Sequence, residues 1–263
     1  MSLPIDFRDA AQAQELIDAI AATERLFVIS DFDGTVAHFS TDIYGVPVNQ
    51  DSLDALSAFA QLPNTFAAAL SGRHLDGLKR VFPLRDPVML GGSHGAETEG
   101  EESSLTEDMK SFLDRVDAEL NAIAADYEGA FVEQKPFHRG LHVKAVSERD
   151  PQAAAEALAR GLEVDPGDYF VAEGKNLVEF SATTANKGTW IKTQRANVDA
   201  TAVVFLGDDT TDEDGFKVLN QPTDLGVKVG DGDTAAYLRV TDIDEVAEFL
   251  ASLLRARQAF LAN

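Results

Sequence analysis

Five short apolar runs punctuate the chain, and each breaks off into glycine and small polar residues. They are Leu26 to Ile29, Thr65 to Leu70, Val88 to Leu90, Ala202 to Leu206 and Leu225 to Val229. Their endings read SDFDGT, SGRH, GGSHG, GDDTTDEDG and GDGDT. Continuous apolar runs of this length predict parallel strands buried on both faces. Parallel sheets gather ligands outside the carboxyl ends of their strands, so the five endings are expected to converge on one crevice. Before the first run, Ala13, Leu16, Ile17 and Ile20 recur at helical spacing and predict a helix over 10–22. At the other end, 243–261 carries apolar residues at the same spacing and predicts a packing helix.

Between the third and fourth runs the pattern changes. Met109, Phe112, Leu113, Val116, Leu120 and Ile123 share one face of a helix predicted over 106–127, with Ser104 and Glu107 as its capping box. GAFVEQKPFHRGLHVKAV then predicts a hairpin, 151–160 a second helix, and YFVAEGKNLVEFSA another hairpin turning near Gly174. The predicted fold is therefore α/β, a Rossmann-like parallel-sheet core over 1–96 and 185–263 interrupted by an αββαββ module over 97–184.

Composition narrows the function. The chain has 263 residues, and 22 basic against 45 acidic ones give a formal charge of −23. Such a field disfavours nucleic acid and anionic membrane surfaces as partners, and an anionic substrate needs the field reversed locally by a cation. No cysteine is present, which excludes disulfides and thiolate chemistry. The first residues lack a secretory signal and no segment is long enough to span a bilayer, so a soluble cytoplasmic protein is expected.

The candidate chemistry lies at the strand endings. Asp31 and Asp33 are two apart where a strand runs out, so both side chains can face the crevice. One carboxylate can attack a phosphoryl group while the other protonates the departing alkoxide. An isolated pair of this kind is more often an Asx turn. The other endings shift that balance. Ser71 can hydrogen-bond a phosphoryl oxygen and Lys187 can neutralise it. Asp208, Asp209 and Asp212 bring more carboxylates than a turn requires, a donor set suited to Mg2+. His138 and His142, four apart in a hairpin, carry no zinc expectation. His94 can equally touch substrate or bond to its own turn. Asp231 and Asp233 can bind a cation or equally lie in a loop before a helix capped by Thr234.

The order DFDGT, SGR, NKG and GDDTTDEDGF resembles the four motifs of the haloacid dehalogenase (HAD) superfamily of phosphatases. More narrowly, GSHGAE, VEQKPFHRGLHVK, EGKNLVEF, NKGTW and VKVGDGDT are similar to the trehalose-6-phosphate phosphatase family of the OtsB type. This resemblance implies a HAD core with an inserted cap domain that sets substrate specificity. It implies Asp31 as the nucleophile of a phosphoaspartyl intermediate and Asp33 as acid, then base. Mg2+ would be held by Asp31, the Asp33 carbonyl and Asp208, supported by Asp209 and Asp212, with Ser71 and Lys187 on the phosphoryl oxygens and Arg73 structural. Glu133, Lys135, His142, Lys175 and Glu179, with His94, would bind the substrate, a phosphorylated disaccharide. No obligate protein partner is implied. Lys144 and Phe180-Ser181 depart from the family pattern, which has arginine and an Arg-Pro pair there. Other readings are a phosphatase for sucrose 6-phosphate or mannosyl-3-phosphoglycerate, a receiver domain, for which the inserted module would have no use, and a non-catalytic sugar-phosphate-binding regulator.

Overall fold

A computed structural model of the chain describes residues 4–40, 42, 44–102 and 105–263. In chain order the strands and α-helices are β1 (Ile5–Asp6), α1 (Ala10–Ala21), β2 (Leu26–Ser30), α2 (Gln50–Ala60), β3 (Thr65–Leu70), α3 (Leu75–Val81), β4 (Met89–Gly92) and β5 (Glu97–Thr98). Next come α4 (Glu107–Ala124), β6 (Phe131–Gln134), β7 (His138–His142), α5 (Lys144–Arg149), α6 (Pro151–Leu162), β8 (Phe170–Gly174) and β9 (Leu177–Ser181). The chain closes with α7 (Lys187–Asn197), β10 (Ala202–Gly207), α8 (Glu213–Phe216), β11 (Leu225–Val229), β12 (Leu238–Val240) and α9 (Ile243–Leu261). Two compact units result, one of Met1–Glu101 with Ala185–Asn263 and the other of Glu102–Thr184.

The first unit holds an eight-stranded sheet in the order β1-β12-β11-β10-β2-β3-β4-β5, parallel except where β5 pairs with β4. All five predicted apolar runs lie in this sheet. Their lack of alternation follows from burial on both faces. Val28, Ala67, Ala69, Val204 and Leu206 join a core with Ile17, Leu56, Phe249 and Leu253 from α1, α2 and α9. Phe27, Ile29, Ala68, Leu70, Val203 and Phe205 join a second core with Trp190, Ile191 and Phe216 from α7 and α8. From β2 the chain winds outward through β3 and β4, then returns on the other flank through β10. The adjacent carboxyl ends of β2 and β10 are therefore the topological switch point, where open α/β sheets bind ligands.

Two expectations need correcting here. Thr234 caps no helix: its Oγ1 accepts from Ala236 N at 3.0 Å in a local turn, and the chain enters β12. Helix α4 is capped by Thr106, whose Oγ1 accepts from Met109 N at 3.2 Å; Ser104 lies outside the described residues.

In the second unit an antiparallel sheet, β6-β7-β9-β8, buries Leu141, Val178 and Phe180 in one core with Phe112, Val116 and Leu120 of α4 and Ala154 and Ala157 of α6. The predicted order αββαββ gains a helix, because α5 and α6 are separate. Asp150 precedes Pro151 and takes extended angles, φ −144° and ψ 95°, which proline imposes by disfavouring helical backbone in the residue before it. Asp150 then caps α6 through the amides of Gln152 and Ala153.

One buried side chain clasps the first unit. Arg257 of α9 has no exposed surface and donates to Thr65 Oγ1 at 3.0 Å and to the carbonyls of Ala21, Thr23, Glu24 and Asn64. It thereby ties the last helix to the turns that open β2 and β3. Replacing Arg257→Met removes the donor from four turn carbonyls, that of buried Ala21 among them, and a buried group left unsatisfied costs about 1–3 kcal/mol. A urea denaturation of the variant is expected to show a loss of roughly 3 kcal/mol; an unchanged midpoint would show that the clasp is not needed for stability.

Candidate active site

Strand pairing places the first acidic residue. The amide of Asp31 donates to Leu206 O at 2.9 Å, carrying the β2–β10 ladder one residue past the strand and aiming Asp31 at the switch point. Gly34 follows in the left-handed region, φ +82°, and its amide closes a turn onto Ala37 O at 2.7 Å. A Cβ at Gly34 would collide with the Asp208 carboxylate, so glycine is required both for the turn and for that approach.

Lys187 is the first residue of α7, behind Asn186, whose side chain accepts from Thr189 N at 2.9 Å. That start directs Lys187 Nζ inward, 2.6 Å from Asp31 Oδ1 and 2.6 Å from Asp212 Oδ1. Lys187 is 2% exposed, Asp31 4% and Asp212 0%, so the triad is sealed from solvent. Asp212 ends a 3-10 turn, Thr210–Asp212, and its Oδ2 accepts from Asp209 N at 2.9 Å. A Cβ at Gly207 would strike the Asp212 carboxyl, which explains the glycine that ends β10. Asp208 receives Thr35 Oγ1 at 3.5 Å, and its carbonyl accepts from Lys228 Nζ of β11.

The electrostatics follow from this packing. Burial pushes the Asp31 carboxyl well above the usual carboxylate range, against the pull of Lys187. Burial and then the charge of Asp212 push Asp208 up to about 6. Burial alone would lower Lys187, but Asp31 and Asp212 outweigh it and hold the ammonium protonated above its ordinary range. Asp31, Asp208 and Asp212 offer carboxylate oxygens that all lie within 4.8 Å of one another. The Lys187 ammonium serves two of these carboxylates and Lys228 the Asp208 carbonyl, and the three carboxylates are hard oxygen donors. This set fits a divalent cation bound by oxygen.

Asp209 stands outside that trio: it is exposed, and its Oδ1 caps the 3-10 turn at Thr210 N, 2.7 Å away. Ser71 ends the β3 side of the crevice, 1% exposed, its Oγ accepting from Arg73 N at 3.1 Å. His94, at φ 55°, lies against Gly72, and its amide donates to Ser71 O at 3.0 Å. Arg73, expected to be structural, grips the second aspartate. Its Nε is 2.6 Å from Asp33 Oδ2 and one terminal nitrogen 2.7 Å from Asp33 Oδ1. Their forty-residue separation hides this pairing from the sequence, and Lys228 hides inside an apolar strand.

In the second unit Lys135 Nζ lies 3.1 Å from Glu179 Oε1 and 3.4 Å from Glu133 Oε2, and His142 Nε2 lies 3.0 Å from that same Glu133 oxygen. Lys175 is exposed in the β8–β9 turn. Of the two departures, Lys144 is exposed at the start of α5, and Phe180 is buried in the unit's core, where an arginine would lack a partner among the apolar neighbours. His138 and His142 join no carboxylate or histidine group of metal-binding geometry among the described residues.

The family model for trehalose-phosphatase matches residues 29–240. The chain is 30% identical to the trehalose-6-phosphate phosphatase of Escherichia coli K12 over 235 residues, 87% of this chain and 86% of that protein. Its fold matches the Aspergillus fumigatus trehalose-6-phosphate phosphatase with a TM-score of 0.71 at 21% identity, covering 93% of this chain and 97% of the other. The C-terminal domain of a Candida albicans trehalose synthase regulatory protein matches with a TM-score of 0.72 at 13% identity, covering 95% and 99%. Among the described residues no helix is long and apolar enough to cross a membrane.

Metal affinity is expected to depend on pH through Asp208. In the metal-free protein this carboxyl is protonated below about 6 and must lose its proton to ligate. Calorimetric titration with magnesium or manganese chloride should therefore show affinity rising as pH passes upward through 6. Asp208→Asn should remove the part of the rise centred near 6 and leave the part contributed by the raised Asp31 carboxyl. Affinity that is flat between pH 5 and 8 would remove Asp208 from the ligand set.

Proposed function

The chain belongs to the trehalose-phosphatase family, and from that premise we propose that it hydrolyses trehalose 6-phosphate to trehalose and phosphate through a phosphoaspartyl intermediate on Asp31. The observation that carries the residue assignment is the sealed Asp31–Lys187–Asp212 triad at the switch point. The ammonium 2.6 Å from Asp31 Oδ1 aims that carboxyl at the crevice and opposes the protonation that burial favours, which is what a nucleophile requires.

Asp31 would attack phosphorus, and the bond to the sugar oxygen would break. Asp33 would give its proton to that oxygen, then take one from the water that attacks the acyl-phosphate and returns Asp31 to its free form. Lys187 balances charge on Asp31 throughout. Ser71 supports the phosphoryl oxygens from the adjacent strand ending, and His94 fixes the Ser71 loop through its amide. The two Arg73 contacts occupy both oxygens of Asp33, so that pairing must open before Asp33 can act on substrate. Asp31, Asp208 and the Asp33 carbonyl would hold Mg2+, with Asp212 behind them; when bound, the ion supplies positive charge that screens the carboxylates from an anionic phosphoryl group. Asp209 serves this arrangement through the turn it caps. The second unit would act as the cap, with Glu133, Lys135, His142, Lys175 and Glu179 reading sugar hydroxyls.

A binding-only regulator deserves comparison because the fold is shared with a protein named as regulatory. Fold alone does not separate the two. The paired Asp31 and Asp33 favour turnover, since a binder has no use for an acid two residues from a nucleophile.

Phosphate release with Mg2+ from trehalose 6-phosphate, sucrose 6-phosphate, mannosyl-3-phosphoglycerate and glucose 6-phosphate tests the reading. Trehalose 6-phosphate is expected to give the highest kcat/KM. Asp33→Asn should lower kcat by about 10^2 to 10^4, and Asp31→Asn should leave no measurable turnover. A higher kcat/KM for another ester would replace the substrate, and full activity of Asp31→Asn would remove the proposed nucleophile.

A further inference from the structure

Alternation along the strands divides the second unit's sheet into two unlike faces. Val132, Leu141, Val178 and Phe180 point into the core with α4 and α6. The opposite face carries Phe131, Glu133, Gly140, His142, Leu177 and Glu179. Register sets their positions: Glu133, Gly140 and Glu179 form one row across three strands, and Phe131, His142 and Leu177 form the next row on the same face.

Phe131 is the anomaly on this face. It is 56% exposed on an edge strand, beside charged residues, where a large apolar side chain gains little from folding. Yet it has one close partner: its ring lies flat on His142, centroids 4.8 Å apart and planes 4° from parallel. Glu133 holds the His142 ring through Nε2 at 3.0 Å, and Lys135 holds Glu133 and Glu179 together. With one face against the imidazole, the exposed area of Phe131 is its other face and its rim. Gly140 keeps the floor beside the stack low; a Cβ there would lie 3.3 Å from His142 Nε2 and 3.1 Å from Leu177 Cδ1.

A rigid aromatic face next to a row of carboxylates matches the chemistry of a pyranose. Such a ring has a C–H-rich face, attracted to the negative face of an aromatic ring, and a rim of hydroxyls that donate to carboxylates. We propose that the Phe131–His142 stack is a platform for one pyranose ring of the substrate, with Glu133 and Glu179 taking its hydroxyls alongside. This rests on the reading of the chain as a sugar-phosphate phosphatase and adds to it a specificity contact made by an apolar side chain.

Phe131 is more than half exposed, so its removal opens no core cavity, and thermal melting of each variant checks the fold. Phe131→Ala and Phe131→Tyr are compared with the unaltered protein on trehalose 6-phosphate and on p-nitrophenyl phosphate, which has no sugar ring. Phe131→Ala is expected to raise KM for trehalose 6-phosphate about ten-fold more than KM for p-nitrophenyl phosphate, with kcat little affected, and Phe131→Tyr to restore it. Equal changes on both esters, or a KM for the disaccharide within two-fold of the unaltered protein, would overturn the platform. Should the unaltered protein cleave only p-nitrophenyl phosphate, the substrate reading fails. The platform is then judged by titrating trehalose and following the His142 imidazole signals by NMR. A shift that Phe131→Ala abolishes would support it, and no shift would overturn it.

Discussion

The Lys187 ammonium between Asp31 and Asp212 is the contact on which the rest of the first unit's crevice depends. Two carboxylates excluded from water repel each other and resist ionisation, and a buried cation within hydrogen-bond distance of both opposes that. The placement of this one amine explains choices far from it. Helix α7 must begin at Asn186 so that its first side chain points inward, and β10 must end in glycine so that Asp212 can fold back over it. Gly34 must turn with a positive φ so that Asp208 can approach.

The same contact shows why a strongly acidic protein can act on an anion. A formal charge of −23 opposes a phosphate ester at long range, and Lys187 is already committed to two carboxylates. Asp208, pushed up to about 6, carries the remaining imbalance. A divalent cation among Asp31, Asp208 and Asp212 would answer that imbalance and make the crevice receptive.

What was legible in the sequence was what burial dictates. Leu26 to Ile29 and Ala202 to Leu206 read as strands because cores on both faces demand unbroken apolar runs, and each ending carries the residue that faces the crevice. Less could be read where a residue answers to a distant partner. Arg73 looks like any arginine after a glycine, since its pairing with Asp33 exists only once β2 and β3 lie side by side. Helix α7 has no clear apolar stripe because it buries Lys187, Gly188 and Gln194 along with Trp190 and Ile191, so function and packing share one face. The break between α5 and α6 was present as Asp150-Pro151, a local signal of ordinary strength. Phe131 and His142 stack through strand register, which places residues eleven apart in sequence side by side.

The central claim is that Asp31 forms a covalent bond to phosphorus, and rapid acid quenching of a single turnover tests it most directly. The protein is mixed with phosphorus-32-labelled trehalose 6-phosphate and Mg2+, stopped within milliseconds, digested and sequenced by mass spectrometry. The account predicts label on the peptide containing Asp31, rising before free phosphate and then decaying. Free phosphate released in that turnover with no label on Asp31 at any time would contradict it.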